Sequence, residues 1–465
     1  MSRREYGALV LIIFAMAALL SFLLRRKRDG VLVFTALSAF ILRYFYILYT
    51  PTDIRQHDVI GFGGTRGQAA YIEWFYNNGL KLIQTDPRDR WGFFQPPLHH
   101  ILAAFWLKAN TLMGVAYGQA TENIQVLTLV YSLLLTFYAY RLFKYFGLSG
   151  RALQVAFALA ALHPSYILLS GSVNNDMLCI LLTVMTIYYA LKWYESRSLA
   201  DIIRLALCMG LSMMTKLSGV LSAPAIAFMF LYIWIKGGKG DFLKYLRQYV
   251  LFGLISVPLG MWFPVRSYIK FGIPFNYTPE VGERLVYNGI LSRLFDIRTN
   301  KPYVSMIKYG DAYDEFNIPL SLMKTSLTGE FDYSGVNGYI TPFAWLLLIS
   351  GTVLALLCLV GTVRAVFRKD EERFKVQRIF LGVIYVTAIV FYLNLAFSIP
   401  NFSSQDFRYI CYIIVIEALL LGMDMVYNKR ASGSVKYGLY EKAACAATGI
   451  FCMSGAAVYL LLGLP

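Results

Sequence analysis

The chain has 465 residues, of which 58% are hydrophobic, 16% aromatic and only 15% charged, with a mean hydropathy of +0.54. Soluble chains carry about 25% charged residues, so a water-soluble globular protein is excluded, and recurring runs of roughly 20 apolar residues define a polytopic helical membrane protein. The net charge of +16 would indicate nucleic acid in a soluble domain, but its distribution ties it to one membrane face, and no nucleic-acid partner is expected.

In chain order, Tyr6–Leu24 is the first apolar segment. It lacks a small-residue cleavage site before Arg25, so residues 1–30 are expected to be a retained extra span. Val31–Thr50 is the second. Residues 51–122 then form a first external loop, which begins with RQHDVIGFGG and places His57 and Asp58 a few residues past a span. Gly61–Gly67 (GFGGTRG) has no strand before it, no helix after it and no GK[ST] ending. It is therefore expected to be a flexible loop and not a phosphate loop. Gln95-Pro96-Pro97-Leu98-His99-His100 opens Pro97–Gly114, whose apolar run is interrupted by Lys108 and Asn110. This reads as an amphipathic helix in the outer interface, with proline tolerated in its first turn. His99 and His100 point about 100° apart on a helix and cannot easily share one metal, so no cofactor is expected, with a divalent metal kept as the minority reading.

Asn123–Phe143, Ala152–Gly171 and Met177–Trp193 follow as spans, with Asn174-Asn175-Asp176 at the start of the third. Asp176 suits a helix N-terminus and suits catalysis equally. Leu205–Lys216 is short and is expected to pair with Leu217–Ile235 as a re-entrant-like hairpin, with Lys216 between two apolar runs. Val250–Tyr268 contains Arg266 near its end. After a second long external loop, residues 267–339, come Ile340–Val363, Ile379–Pro400, Tyr409–Tyr427 and Ala443–Leu464. Gln405-Asp406-Phe407-Arg408-Tyr409 immediately precedes or opens the eleventh. The expected architecture is an all-α integral membrane bundle of about twelve spans in one domain, 1–465, with short interface helices in its external loops.

Charge gives the sidedness. Arg25–Asp29, Arg141–Arg151, Lys192–Arg204, Lys236–Arg247, Arg364–Arg378 and Lys429–Lys442 carry nets of +3, +3, +1, +3, +3 and +3, which account for the whole +16. Pro51–Gln95 is neutral and Ser267–Tyr339 has net −1. Basic loops stay cytoplasmic, so the two long loops are expected outside and the protein in the cell membrane. Arg3 and Arg4 then lie outside, outweighed by the block at Arg25–Arg28. The sequons at Asn276 and Asn401 are external on this reading, but such triplets are common by chance. All six cysteines fall in apolar segments, so no disulfide framework is implied.

Ionisable groups near a membrane are costly and mark function. His57, Asp58, Gln95, His99, His100, Asn175, Asp176, Lys216, Arg266, Asp406 and Arg408 gather on the outer side of separate spans. Each also has a plainer role: solvated loop charge, helix cap, or headgroup-gripping cation. No segment offers a nucleotide site, so a donor would come from the outer leaflet as a lipid. A carboxylate can deprotonate an attacking hydroxyl, while a departing phosphate needs cations and no proton donor.

Together, His57-Asp58, Gln95-Pro96-Pro97-Leu98, Asn175-Asp176, Thr215–Gly219 (TKLSG), Met323–Phe331 (MKTSLTGEF) and Asp406–Tyr409 (DFRY) occur in an order that resembles the GT-C fold glycosyltransferases. The resemblance is to the protein O-mannosyltransferase-like group, which includes bacterial aminoarabinose transferases acting on lipid A, and it covers roughly Val31 to Met425. It implies inverting transfer of a sugar from a polyprenyl-phosphate donor to a glycan, lipid or protein acceptor on the external face. Asp58 would be the catalytic base and Asp176 a second acid. Lys216, Arg408 and Arg266 would hold the donor phosphate, and His57, Gln95, His99, His100, Asn175 and Asp406 would contact substrate. Two departures leave the acceptor open: Val59 follows Asp58 where the mannosyltransferases have Glu, and Gln95 stands where the lipid A enzymes have Lys. The rival readings are a lipid or glycan flippase, which would show internal repeats and mid-membrane groups, and a ligase taking a whole glycan from a lipid pyrophosphate.

Overall fold

The computed structural model describes residues 3–24, 29–236, 242–279, 289–295, 317–331, 333, 338–369, 372–432 and 435–464. The basic run at 25–28, Gly237-Gly238 and most of the second long loop lie outside the described residues. Every described element is helical. In chain order these are α1 (Arg3–Leu24), α2 (Gly30–Leu48), α3 (Gly67–Asn78), α4 (Leu98–Leu112), α5 (Tyr117–Glu122), α6 (Ile124–Tyr145), α7 (Gly150–Ala161), α8 (Pro164–Ser170) and α9 (Asp176–Ser196). Then follow α10 (Leu199–Thr215), α11 (Ala223–Lys236), α12 (Phe242–Phe271), α13 (Ile290–Phe295), α14 (Ile318–Thr328), α15 (Ile340–Phe367), α16 (Lys375–Ser398), α17 (Ile413–Ser432) and α18 (Val435–Leu461).

Among the described residues nine helices are long and apolar enough to cross a membrane, and two bent pairs bring the number to eleven. The pairs are α7 with α8, bent by 42°, and the 3-10 segment 403–410 with α17, bent by 51°. The one remaining expected span, Leu205–Lys216, is α10, whose 17 residues rise about 25 Å at 1.5 Å per residue, somewhat less than the roughly 30 Å hydrocarbon core. It starts six residues earlier than hydropathy indicated, because Ser198 caps it by accepting from the Asp201 amide. The expected hairpin takes a specific form: Lys216 is extended (φ −157°, ψ 132°) and a 3-10 turn, Leu217–Ser222, leads into α11.

A bent helix in lipid leaves backbone carbonyls without partners. At the α7–α8 break the fully buried Arg43 of α2 supplies them, donating from Nη2 to Ala161 O (2.9 Å) and from Nη1 to Ser132 O and Thr136 Oγ1. Two other buried arginines act alike: Arg378 donates to Ala365 O near the end of α15, and Arg293 to Ala396 O near the end of α16. Cations suit helix C-termini for the same reason.

One large apolar core joins α2, α6–α11 and α14–α18. A second cluster lies under the first long loop, where Tyr71, Phe75, Phe93, Ala103, Leu107 and Val173 pack α3 and α4 against the segment that precedes α9. The 15-residue α4 buries His99, His100, Ala103, Ala104, Leu107 and Asn110 and exposes Leu102, Phe105, Leu112 and Met113, which is the two-faced helix expected there.

The glycine run is the clearest correction. A helix does follow it, α3, and Gly67 is its first residue. Gly67 sits at φ +84°, and a Cβ there would stand 2.4 Å from Val59 O. Its amide donates to Trp91 O (2.8 Å), while the Gln68 amide donates to Asp58 O (3.0 Å). The segment is therefore a fixed turn that presses the Asp58-Val59 backbone onto the α3 N-terminus; no strand precedes it. Gly67→Ala is expected to cost about 1–3 kcal/mol through backbone strain and the clash. Gly61→Ala, at φ +103°, bears backbone strain as well but meets no atom within 4 Å and should cost less; equal thermal midpoints for the two variants in detergent would contradict this.

Candidate active site

Five parts of the chain meet at one end of the bundle: the loop after α2, the start of α9, the end of α10, the segment after α14 and the 3-10 turn Phe407–Ile410. The loop is tied down along its length. Glu122 accepts from the Thr52 amide and hydroxyl, and Gln56 donates to Gly171 O (2.9 Å) and accepts from the Val173 amide (3.0 Å). Arg55, Asp58 and Ile60 all have positive φ, at 52°, 63° and 64°. That is sparsely populated for any side chain and rare for a β-branched one. Such strain persists only where the surroundings over-determine it.

Arg408 is the hub. Its Nη1 lies 2.8 Å from Asp58 Oδ2 and 3.3 Å from Asp176 Oδ2, and its Nε lies 3.4 Å from Asp406 Oδ2. Lys216 Nζ pairs with the other oxygen of Asp176. Asn174 Nδ2 adds a bond to Asp176 Oδ2 at 2.8 Å. Tyr409 lies under both cations, with Lys216 Nζ 4.8 Å and the Arg408 guanidinium 5.1 Å from its ring centre. A small cleft of about 10 Å³, room for a single water, lies between Asp176, Lys216, Arg408, Tyr409 and Tyr412. Asp58 is the most open of these acids, 31% exposed where Asp176 is 2%.

His57 begins a second layer. Its Nδ1 is 2.7 Å from Glu330 Oε1 and 3.5 Å from Asp406 Oδ2, and its ring rests on Phe331 at 4.6 Å. Burial and the Arg408 charge oppose the imidazolium, but Glu330 and Asp406 outweigh them and raise the pKa of His57 above its ordinary 6.5. Burial likewise opposes ionisation of Glu330, and the His57 and Arg408 charges overcome it, so Glu330 is held below the usual carboxylate range. With its folded pKa raised, His57 strengthens this link below neutrality and loses it as pH rises through that pKa. His57 Nδ1, Glu330 and Asp406 place ligand atoms within 4.8 Å of one another, a donor set that fits a divalent ion by type. Arg408 Nε already stands 3.4 Å from Asp406, supplying positive charge from one side.

The remaining expected residues are placed as follows. His99 and His100 are fully buried and reach the site through the backbone. His99 Nε2 bonds Val173 O (2.8 Å), and His100 Nε2 bonds Gln68 Oε1 (3.2 Å), which also accepts from the Asn175 amide (3.0 Å). Burial lowers the pKa of His99 to about 4, so it is a neutral donor that positions the Asn174–Asp176 segment. Asn175 Nδ2 donates to Thr215 O, joining α9 to the Lys216 turn. Gln95 is half-buried, and its amide donates to Gly92 O. Arg266 is not brought to the cluster: it donates to Ile83 O (2.5 Å) and fastens α12 to the first loop.

Residues 96–262 match the family model described as dolichyl-phosphate-mannose-protein mannosyltransferase, a stretch that contains Asp176 and Lys216. Among solved structures, ArnT from Cupriavidus metallidurans in the apo state aligns over 90% of this chain and 74% of its own, at 13% identity and a TM-score of 0.51. The same protein bound to undecaprenyl phosphate aligns over 92% and 76%, at 14% identity and 0.51. The Archaeoglobus fulgidus oligosaccharyltransferase tethered to an acceptor peptide aligns at 13% identity and 0.51, with this chain covering 93% of itself and 55% of that protein. The chain has the GT-C glycosyltransferase fold. No curated protein sequence matches it.

Within this GT-C frame Glu330 is the residue that sequence reading left without a role. It sits in the noted MKTSLTGEF segment, directly after Gly329, whose φ of +64° ends α14. An acid beside such a helix stop, in a loop of near-zero net charge, was the available signal. Tyr409 was quoted only as part of DFRY; its ring under two cations emerges from the fold.

Proposed function

We propose that this protein is a membrane glycosyltransferase that moves a sugar from a polyprenyl-phosphate donor to an acceptor hydroxyl at the external face, with inversion. The observation carrying the proposal is the meeting of Asp58, Asp176, Lys216 and Arg408 within ion-pair distance from four separate elements. The family match over 96–262 and the undecaprenyl phosphate bound by the structurally similar ArnT support the choice of donor. The neutral first long loop lies at this end, and the positive charge is concentrated in the other set of loops, which supports the external assignment.

Asp58 accepts the proton of the acceptor hydroxyl as its oxygen forms a bond to the anomeric carbon. The bond from that carbon to the phosphate oxygen breaks, and its electron pair stays on a phosphate held by Lys216 and Arg408. Charge at the sugar is oxocarbenium-like in passing, as in glycoside hydrolysis. A phosphate entering beside Arg408 competes with Asp58 for the guanidinium and frees the carboxylate as donor arrives. Asp176 keeps both cations in place. The cations of the cluster do this work in our reading, without a metal.

The test is turnover of labelled polyprenyl-phosphate sugars by membranes containing the protein. We expect transfer of label to a hydroxyl-bearing acceptor and release of polyprenyl phosphate, insensitive to chelator. Movement of intact labelled lipid between leaflets, without cleavage, would replace this reading with a flippase.

A further inference from the structure

A second cavity lies within the bundle on the far side of the Phe407–Arg408 turn. It holds about 230 Å³ between α7, α14, α15, α16, α17 and α18 and opens partly to the outer surface of α15. Its walls are mostly hydrocarbon, from residues such as Leu322, Leu354, Leu359, Ile389 and Ile414; Ser326 and Tyr385 line it too, along with two ionisable residues, Glu417 and His163. Glu417 stands one turn into α17. One carboxylate oxygen accepts from Tyr385 Oη at 2.9 Å; the other has no partner among the described residues. His163 sits at the α7–α8 bend and is 91% buried. Its Nδ1 accepts from the Ser165 amide and caps α8, which places the ring proton on Nε2. That donor has no partner among the described residues either.

Ionisable groups inside a membrane protein are rare and mark binding sites or pathways, and polar atoms in hydrocarbon are costly unless hydrogen-bonded. Here two such atoms share one apolar cavity. We infer that this cavity binds the chain of a membrane lipid carrying a hydroxyl group. The hydroxyl accepts from His163 Nε2–H and also suits Glu417, to which it can donate or from which it can accept, while the chain fills the apolar walls. An ammonium would have to be dehydrated in hydrocarbon, and a phosphate would meet Glu417 as a like charge; a neutral hydroxyl has neither penalty.

The site adjoins the cluster without being part of it. Phe407 lines the cavity while its neighbour Arg408 holds Asp58 and Asp176. The Phe407 amide donates to Thr325 Oγ1 (2.9 Å), and the next residue, Ser326, lines the cavity too. An occupant therefore touches the turn that carries Arg408 and the helix that leads to Glu330. This inference stands apart from the transferase reading, since it is tested by binding and not by turnover.

The experiment labels the full-length protein in vesicles with a photoreactive hexadecanol and, in parallel, with the matching alkane that lacks the hydroxyl. We expect the alcohol to label the cavity face of α15 in preference to the alkane. Glu417→Leu should cut that preference by about tenfold, roughly one hydrogen bond. Glu417→Gln, which keeps hydrogen-bonding atoms, should retain most of it. Labelling of the lipid-exposed α1 serves as the internal standard for a folded, inserted chain. Equal labelling by alcohol and alkane would overturn the inference. So would displacement of both probes by undecaprenyl phosphate alike in wild type and Glu417→Leu, which would make the cavity a groove for the carrier chain.

Discussion

Asp58→Asn is expected to abolish transfer while the protein still folds and inserts. The amide keeps the shape of the side chain and can still contact Arg408 through its oxygen, but it cannot take a proton. A positioned general base contributes about 10²–10⁴-fold, so kcat should fall by that factor or more with KM for the donor little changed. Stability should barely move, since Asp58 is 31% exposed and exposed ion pairs are worth about 0–1 kcal/mol. Transfer in Asp58→Asn at the wild-type rate would sink the assignment of the base.

Arg408→Met should behave differently, losing both activity and stability. Arg408 is 3% exposed and faces three carboxylates, two of them equally buried. Removing one partner of a buried pair costs about 3–5 kcal/mol, because the other charge stays behind unpaired. Arg408→Lys should recover little, since one ammonium cannot span the positions that a planar guanidinium reaches with several donors. The informative variant is the double substitution Arg408→Met with Asp176→Asn, which removes charge of both signs. Its thermal midpoint should return part of the way towards wild type while transfer stays absent. If the double variant is no more stable than Arg408→Met, the pairing is not what stabilises this end of the bundle.

Much of this arrangement was legible before any coordinates. Apolar runs of span length located nearly all the membrane helices, because lipid forces backbone hydrogen bonds inward and leaves few alternatives. The loop charges separated the two ends, and Asp58, Asp176, Lys216 and Arg408 stood out because each interrupts or adjoins an apolar run. What escaped depended on long-range geometry. α3 was missed because its glycine-rich entry reads as a loop, and only the close approach of Gly67 to Val59 O shows why glycine is required. Arg266 resembled the other span-end cations, yet its partner is a loop carbonyl fixed by the path of residues 79–90, which carry no periodic signal. The histidines were recognised as unusual, but their order was not: His57 joins the charged layer, whereas His99 and His100 support it from behind.

The sequence separations within the cluster also bear on how the protein is made. Asp176 and Lys216 are 40 residues apart and come from two consecutive spans, so they can neutralise each other as soon as α9 and α10 enter the bilayer together. Arg408 meets Asp176 across 232 residues, and Asp58 lies earlier still. During synthesis the loop carrying Asp58 can already be fastened by Glu122, Gly171 and Val173, but Asp58 meets its cation only when nearly the whole chain has emerged and the turn before α17 arrives. A chain truncated before that point would keep the pair of Asp176 with Lys216 but lack Arg408, the cation that joins Asp58 to Asp176.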